Sequence, residues 1–317
     1  MRLSKIITEY VEFKQSLGMR FNSESVILKA FSKALGDIDI DDVGSDPTLA
    51  YLSGKGPLTS FWHRKFEALT GFYRYAISRG YVDFSPLPTT IPKRPTPYVA
   101  YIYSSEEFKR LLEATDLLQK SRFHVDTITF RTLLLLLFNT GLRIGETFSL
   151  SLADVSFSSD LLTIRDSKFY KSRLVPIDHR LTVVLDDYAK RKHTIERSER
   201  SGHSAFFVRR NGLPLNHGCA ERAFRYLCNY CGIHRDDGAH YQPRLHDIRH
   251  AFAVTRLLDW YKKGADVQRL LPHLSTYLGH LNISATQRYL TMTPELLREA
   301  GSRFERYALS EVTHGQQ

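Results

Sequence analysis

Apolar side chains recur at three- and four-residue steps along the first 85 residues of the chain. Three such series follow one another: Ile7, Tyr10, Val11 and Leu17; Ile27, Phe31 and Leu35; and Trp62, Phe66, Leu69, Tyr73 and Ile77. Because an α-helix returns to the same face about every 3.6 residues, this spacing predicts amphipathic helices that each bury one face. Residues 1–85 are therefore predicted to form a small all-helical domain.

Prolines are concentrated in the segment that follows. Five of the twelve prolines of the chain lie between Pro86 and Pro97. Proline lacks an amide donor and has a fixed φ, so this run favours neither a helix nor a central strand. Residues 86–103 are predicted to be a linker between two domains, a division that a length of 317 residues also favours.

The second predicted domain, residues 104–317, combines helices with a short β-rich patch. Ser104-Ser105-Glu106-Glu107 supplies a hydroxyl cap and acidic residues for the first turn of a helix. The apolar run Leu133–Phe138 is far too short to span a bilayer and indicates a buried helix. Leu161–Ile164 and Leu174–Ile177 flank a polar turn, as in a β-hairpin. The predicted fold class is mainly α with a small antiparallel β-sheet.

Basic residues outnumber acidic ones in the chain. The formal net charge is +10, from 44 Lys and Arg against 34 Asp and Glu. This balance favours a polyanionic partner, although many basic proteins bind no nucleic acid. The third apolar series carries basic side chains beside its aromatic face: His63, Arg64, Lys65, Arg74 and Arg79. They fit phosphate contacts and an ordinary solvated helix face about equally well.

The three cysteines, Cys219, Cys228 and Cys231, are an odd number in a chain that shows no secretory leader. A reducing cytoplasm is therefore expected, and a disulfide framework is not. Cys228, Cys231 and His234 are of the residue types that bind zinc. Their place in and beside a predicted helix, Glu221–Cys231, favours packed thiols over a metal site.

Four short motifs of the second domain carry side chains suited to phosphoryl transfer: Thr140-Gly141-Leu142-Arg143, His246-Asp247-Ile248-Arg249, Leu278-Gly279-His280, and Tyr289, nine residues past His280. Phosphoryl transfer onto a tyrosine needs charge neutralisation at the non-bridging oxygens, an aimed nucleophile and a proton for the leaving oxygen. Arginine suits the first task because its planar fork donates two parallel hydrogen bonds and stays charged. Glu146, three residues after Arg143, can brace that arginine from the same helix face.

The order and spacing of these motifs closely resemble those of the tyrosine recombinases, the integrase family that cuts and rejoins DNA through a phosphotyrosine, and the Xer-type members in particular. The family also places a lysine in the turn of a β-hairpin. Lys168, five residues before Arg173, matches that position, and Lys171 is its close competitor. The resemblance implies a helical core-type DNA-binding domain, an α+β catalytic domain, and no need for a cofactor, a divalent metal or a nucleotide.

The resemblance also implies a role for each matched residue. Tyr289 would attack the scissile phosphate, and Arg143 and Arg249 would stabilise the transition state. His246 would handle the tyrosine proton, and His280 would hydrogen-bond the phosphate. The general acid that protonates the departing 5′ oxygen would be a lysine. The predicted catalytic residues are therefore Arg143, Lys168, His246, Arg249, His280 and Tyr289, with Glu146 in support. The predicted DNA contacts are Arg64, Lys65, Arg74, Lys171 and Arg173.

The expected partner is double-stranded DNA at specific paired sites, bound by a homo-tetramer or by a mixture with related recombinases. Residues 294–308 are the candidate segment for docking on a neighbouring protomer, and a nucleoid-associated location in the cytoplasm follows. Two segments, Leu271–His280 and Thr293–Leu297, resemble those of recombinases from mobile elements more than those of housekeeping recombinases. Two alternatives stay open at this point: a non-catalytic DNA-binding protein with the same fold, and a type IB topoisomerase.

Overall fold

The structure, a computed structural model, describes residues 1–95, 98–120, 123–165, 172–193, 204–238 and 241–302. The chain divides into two compact units, Met1–Tyr98 and Val99–Gln317. Lys168 and Lys171, two of the predicted site residues, lie outside the described residues, as does the end of the predicted docking segment beyond residue 302. In the part of the chain that the structure describes, no helix is both long and apolar enough to cross a membrane.

The first unit is built from helices, as its apolar pattern predicts. Its four α-helices are α1 Leu3–Ser16, α2 Asn22–Leu35, α3 Ser45–Ser53 and α4 Ser60–Ser78, with a short 3-10 helix at Ile40–Asp42. The three apolar series fall on α1, α2 and α4, and their shared core centres on fully buried Leu28, Phe31 and Phe72. The sequence pattern missed α3, a nine-residue helix with only two buried side chains.

The second unit begins with the helix start that the sequence predicts. In α5, Ser105–Ala114, the Ser104 hydroxyl accepts the Glu107 amide proton at 3.1 Å, and the Glu107 carboxylate accepts the Ser104 amide proton at 2.8 Å. A 3-10 helix, Thr115–Lys120, follows. The predicted buried helix is α6, Thr127–Thr140, whose leucines lie in the main core of this unit.

A three-stranded antiparallel sheet follows α6 and the five-residue helix α7, Ile144–Phe148. Its strands are β1 Val155–Ser156, β2 Leu161–Ile164 and β3 Arg173–Pro176, in that order across the sheet. Leu162 pairs with Val175 and Ile164 with Arg173. The predicted hairpin is therefore confirmed, with its second strand beginning one residue earlier than the apolar pattern indicates.

The rest of the second unit is helical and contains a second hydrophobic cluster. Its helices are α8 His179–Lys192, α9 His217–Tyr230, α10 Asp247–Lys262, α11 Val267–Leu278 and α12 Ser284–Gln287, followed by a 3-10 helix at Arg288–Thr291 and a helical stretch at 294–302. The side chains of α10 and α11 form this cluster together with Tyr289 and Leu296. The predicted mainly α fold class with a small antiparallel sheet is confirmed.

Candidate active site

Arg143 lies at a break between two helices. Helix α6 ends at Gly141, whose φ of 59° is in the left-handed region, and Arg143 is the N-cap of α7. Its guanidinium donates to the Gly279 carbonyl at 2.7 Å and to the Glu146 carboxylate at 2.7 Å. The side chain remains 27% exposed, so part of it is accessible from outside the protein.

Arg249, on α10, is buried, with only 3% of its surface exposed. Its guanidinium donates to the Gly141 carbonyl at 2.7 Å and to the Leu278 carbonyl at 2.8 Å. The last carbonyls of a helix lack intrahelical partners and carry partial negative charge, so the ends of α6 and α11 attract a cation. Burial lowers the pKa of Arg249 to about 10, which leaves it charged at neutral pH.

The two glycines that end these helices need to be glycine for steric reasons as well. A Cβ on Gly141 would lie 2.4 Å from the Phe252 ring, and one on Gly279 would lie 2.7 Å from the Arg173 guanidinium. Gly279 also has a φ of 67°, which L side chains rarely adopt. With glycine at both positions, the Gly141 carbonyl can approach Arg249 and the Gly279 carbonyl can approach Arg143.

His280 lies beside Arg249, and the contact fixes its tautomer. The Arg249 guanidinium can only donate, so the His280 Nε2 at 3.0 Å accepts and carries no proton. The proton is therefore on Nδ1, which donates to the Thr286 hydroxyl at 2.7 Å. Burial, and then the charge of Arg249, lower the pKa of His280 to about 4. Donation to a phosphate from Nε2 would require a proton on that nitrogen.

Tyr289 lies between two imidazoles. Its ring stacks on His280 with centroids 6.1 Å apart and is tilted against His250 at 5.6 Å. The residue is 3% exposed and belongs to the cluster formed by α10 and α11. Tyr277, predicted to be a packed aromatic, stacks on Phe252, and burial raises its pKa to about 12. The structure therefore brings the ring of Tyr289, and not that of Tyr277, to the histidines of the site.

His246 and His250 continue the row of imidazoles away from Tyr289. His246 is the N-cap of α10, and its ring meets that of His250 edge-on at 5.4 Å. Burial, and then the charge of Arg249, lower the pKa of His246 to about 4, so it is neutral at pH 7. Burial, and then the neighbouring His246, lower the pKa of His250 to about 3. His250 was not predicted from the sequence, although it follows Arg249 directly and lies four residues after His246, on the same helix face.

Glu146 forms the acidic centre of the site. It accepts hydrogen bonds from Arg143 and also from Arg173, which reaches it from β3 at 3.0 and 2.8 Å. Burial alone would raise the pKa of the carboxyl, but the hydrogen bonds and charge of Arg173, and then those of Arg143, outweigh it and hold the pKa at about 2. Glu146 is therefore ionised at any working pH.

The predicted DNA contacts fall into two groups in the structure. Arg64 and Arg74 are exposed on α4. Lys65 is half-buried instead, with its ammonium 2.6 Å from the Tyr51 carbonyl and over the Tyr51 ring. Arg173 is 12% exposed and paired with Glu146. Direct DNA contact by each of these side chains stays a prediction.

The cysteines pack as the sequence favours. Cys228 is buried on α9, and burial raises the pKa of its thiol to about 12. The Cys231 thiol lies 3.5 Å from the Arg110 carbonyl. Among the described residues, no group of three metal-ligating side chains is close enough to hold an ion.

Comparison with known proteins identifies the class to which this fold and site belong. Residues 103–295 match the phage integrase family. The chain is 36% identical over 303 residues to y4rB, a provisionally named integrase/recombinase of Sinorhizobium fredii, covering 95% of this chain and 96% of that protein. It is 30% identical over 244 residues to the tyrosine recombinase XerC of Oceanobacillus iheyensis, covering 75% of this chain and 72% of XerC. The chain therefore belongs to the phage integrase family and is a DNA strand-exchange enzyme of the tyrosine recombinase class.

Solved structures share the fold at low sequence identity. The integrase of the transposon Tn1549, in complex with transposon right end DNA, superposes with a TM-score of 0.67 at 15% identity and covers 97% of this chain and 100% of its own. The XerH site-specific recombinase, bound to a palindromic difH substrate, gives a TM-score of 0.62 at 20% identity, with 96% and 84% coverage. These likenesses show that the chain shares its fold with these proteins.

Proposed function

We propose that this protein cleaves and rejoins DNA strands through a covalent 3′-phosphotyrosyl intermediate at Tyr289. The phenolic oxygen of Tyr289 attacks the scissile phosphorus, and the bond from phosphorus to the 5′ oxygen breaks. The link conserves the bond energy, so a free 5′ hydroxyl from a partner duplex can reverse the step and join the strands without ATP or a metal ion.

Arg143 and Arg249 carry the transition-state charge in this proposal. Together with Arg173 they place three positive charges against the one negative charge of Glu146, so the site has a positive excess for a phosphate. Their backbone carbonyl partners hold the two guanidiniums before DNA arrives, so little reorganisation is needed at the moment of reaction.

Proton movement is assigned to a histidine and a lysine. His246 is neutral at pH 7 because burial lowers its pKa to about 4, and a neutral imidazole can accept the Tyr289 proton. Lys168, with Lys171 as the alternative, gives a proton to the departing 5′ oxygen. His280, through its bond to Arg249, holds that arginine and the Tyr289 ring in place.

The observation that carries the proposal is the meeting of four distant motifs at one point. Arg249 reaches the ends of α6 and α11, and His280 joins Arg249 to the Tyr289 ring. A protein that only binds DNA has no use for a tyrosine placed against this cluster of histidines and arginines. A catalytic role therefore accounts for this arrangement better than a purely architectural role on DNA does.

The test is capture of a covalent adduct on a nicked duplex made from DNA that flanks the gene. Wild-type protein is expected to form an adduct that resists denaturation, and the Tyr289→Phe variant is expected to form none. Tyr277→Phe is the matched control, because Tyr277 is a packed aromatic of the same unit. Tight binding without an adduct from wild type would contradict the proposal and favour an architectural role.

We also propose action at paired sites for a mobile element, by a homo-tetramer on synapsed DNA in the cytoplasm. Support comes from relatives: y4rB is named an integrase/recombinase, and a lambda integrase has been solved as a tetramer bound to a Holliday junction. Dependence on two paired sites would separate this activity from that of a topoisomerase, which acts on one. Residues 294–308 remain the proposed docking segment between protomers.

A further inference from the structure

Glu146 is shared unequally by two arginines. The Arg173 guanidinium donates to both Glu146 carboxylate oxygens, at 3.0 and 2.8 Å. The Arg143 guanidinium donates to one, at 2.7 Å, and the other oxygen receives from Arg143 only its backbone amide, at 3.1 Å. Two parallel bonds between a guanidinium and a carboxylate are the strongest form of this pair. Arg173 is therefore the main partner of Glu146, and Arg143 is the secondary one.

This sharing determines the charge that Arg143 presents. A carboxylate held by Arg143 alone would cancel the positive charge of that arginine next to the phosphate position. With Arg173 in place, the group of Arg143, Glu146 and Arg173 keeps a net charge of +1. The Glu146 and Arg173 side chains are only 7% and 12% exposed, so water screens their charges poorly.

Arg173 also connects three elements of the site. From the first residue of β3 it reaches Glu146 on α7, and its Nε donates to the Tyr277 carbonyl of α11 at 2.9 Å. The guanidinium lies directly beside Gly279, the residue whose carbonyl receives Arg143. The same side chain thus holds both the acid and the turn that position Arg143.

We propose that Arg173 is a positioning residue for Arg143 and not a DNA contact. It keeps Glu146 from neutralising Arg143 and fixes the end of α11 where Arg143 and His280 are held. The inference rests on the proposed strand cleavage and concerns a residue that the sequence predicts to bind DNA. Its effect is expected on the cleavage step and not on affinity.

The first experiment measures single-turnover adduct formation by Arg173→Gln at saturating DNA, together with DNA affinity as a function of salt. We expect cleavage to slow by roughly tenfold to a hundredfold, less than loss of a direct donor to the transition state. Affinity and its salt dependence should match wild type, because Arg173 binds no phosphate in this proposal. Arg110→Gln, an exposed arginine of α5, is the control and should change neither quantity.

The second experiment tests the charge argument with a scissile methylphosphonate, which lacks the negative charge of a phosphodiester. The defect of Arg173→Gln should shrink on this substrate, because a neutral centre needs less positive charge from Arg143. General damage to the fold would slow both substrates equally. An equal defect on both substrates would therefore overturn the proposal.

The double variant Glu146→Gln/Arg173→Gln addresses folding of the single variant. It removes both buried charges, so no unpaired carboxylate remains and Arg143 keeps its charge. Its adduct rate should exceed that of Arg173→Gln, with circular dichroism confirming that both proteins are folded. If Arg173→Gln does not fold, the double variant should still cleave the phosphodiester, and a folded double variant with no cleavage would overturn the charge argument.

The remaining outcomes separate this inference from the proposed function. A salt slope reduced by about 0.9 in Arg173→Gln would indicate that Arg173 neutralises a phosphate in the wild type, and would overturn the positioning role. An unchanged adduct rate in that variant, beside a normal wild type, would overturn this inference alone. A wild type with no Tyr289-dependent adduct would overturn the proposed function, and this inference with it.

Discussion

Three histidines in the site are neutral at neutral pH because they are buried. Burial, and then the charge of Arg249, lower the pKa of His246 and His280 to about 4, and burial, His246 and then Arg249 lower that of His250 to about 3. Neutrality is what a proton acceptor for Tyr289 needs. It also prevents additional positive charge from accumulating around the two arginines before DNA is bound.

These low pKa values predict how stability depends on pH. An unfolded histidine binds its proton at about pH 6.5, so between pH 6.5 and 4 the unfolded chain holds protons that the folded chain does not. The free energy of unfolding should therefore fall as the pH is lowered through this window. Each histidine contributes at most about 1.4 kcal/mol per pH unit.

The measurement is urea unfolding of wild type and His250→Asn at several pH values between 7 and 4. Removing His250 should flatten the decline in the free energy of unfolding, whereas His273→Asn, at an exposed position on α11, should leave it unchanged. An identical pH dependence in wild type and His250→Asn would contradict the assignment of His250 as a buried neutral histidine.

At the scale of elements, the site is built from helix ends. The terminal carbonyls of α6 and α11 receive Arg249, and the Gly279 carbonyl receives Arg143. A helix that ends in a left-handed glycine turns its last carbonyls outward, where a guanidinium can satisfy them. The two arginines thus stabilise the helix ends and are positioned by them.

Gly279→Ala tests this construction. The substitution combines a φ of 67° with a Cβ 2.7 Å from the Arg173 guanidinium, so Arg173 must move. We expect a loss of stability above the roughly 1 kcal/mol of left-handed strain alone, together with slower adduct formation. Both are measurable by denaturant unfolding and by the nicked-duplex assay.

Gly232→Ala is the matched control for this prediction. Gly232 has a φ of 62°, but a Cβ there would meet nothing within 4 Å. The Gly232→Ala variant should lose only the stability that corresponds to left-handed backbone strain, and its cleavage rate should match that of wild type. Equal effects of the two substitutions on stability and on rate would show that the close approach of Gly279 and Arg173 has no importance.

The sequence predicts elements well where the signal is local. The capping box of α5 and the β2–β3 hairpin depend on neighbouring residues, and both appear within one residue of their predicted positions. The short helix α3 was missed because two buried side chains make too weak a periodic signal. The resemblance also named the residues that converge at the site, including Arg249 and Tyr289.

How those residues are held could not be predicted. Arg249 bonds a carbonyl 108 residues away, and Arg143 one that is 136 residues away. Backbone carbonyls have no signature in a sequence, so neither contact can be seen there. Arg173 was predicted as a DNA contact, and its pairing with Glu146 could not be predicted, since only the fold places Glu146 beside it.

At the scale of the whole molecule, the predicted catalytic residues and two of the predicted DNA contacts lie in different units. All six predicted catalytic residues lie in Val99–Gln317, whereas exposed Arg64 and Arg74 lie in Met1–Tyr98. Each unit has its own hydrophobic core. Each is therefore expected to fold when expressed by itself, and the first unit is predicted to contribute affinity for DNA.

A protein comprising residues 99–317 tests this division. It should form the Tyr289 adduct at saturating DNA but bind the duplex more weakly than the full chain. The slope of log affinity against log salt concentration should become shallower by about 0.9 for each phosphate that the first unit neutralises in the full chain. Arg64→Gln/Arg74→Gln in the full chain should reproduce part of this loss of affinity without slowing cleavage once DNA is saturating. If the folded 99–317 protein binds DNA as tightly as the full chain, the first unit does not contribute DNA affinity. If the 99–317 protein is saturated with DNA but does not cleave it, the first unit is needed to assemble the active site.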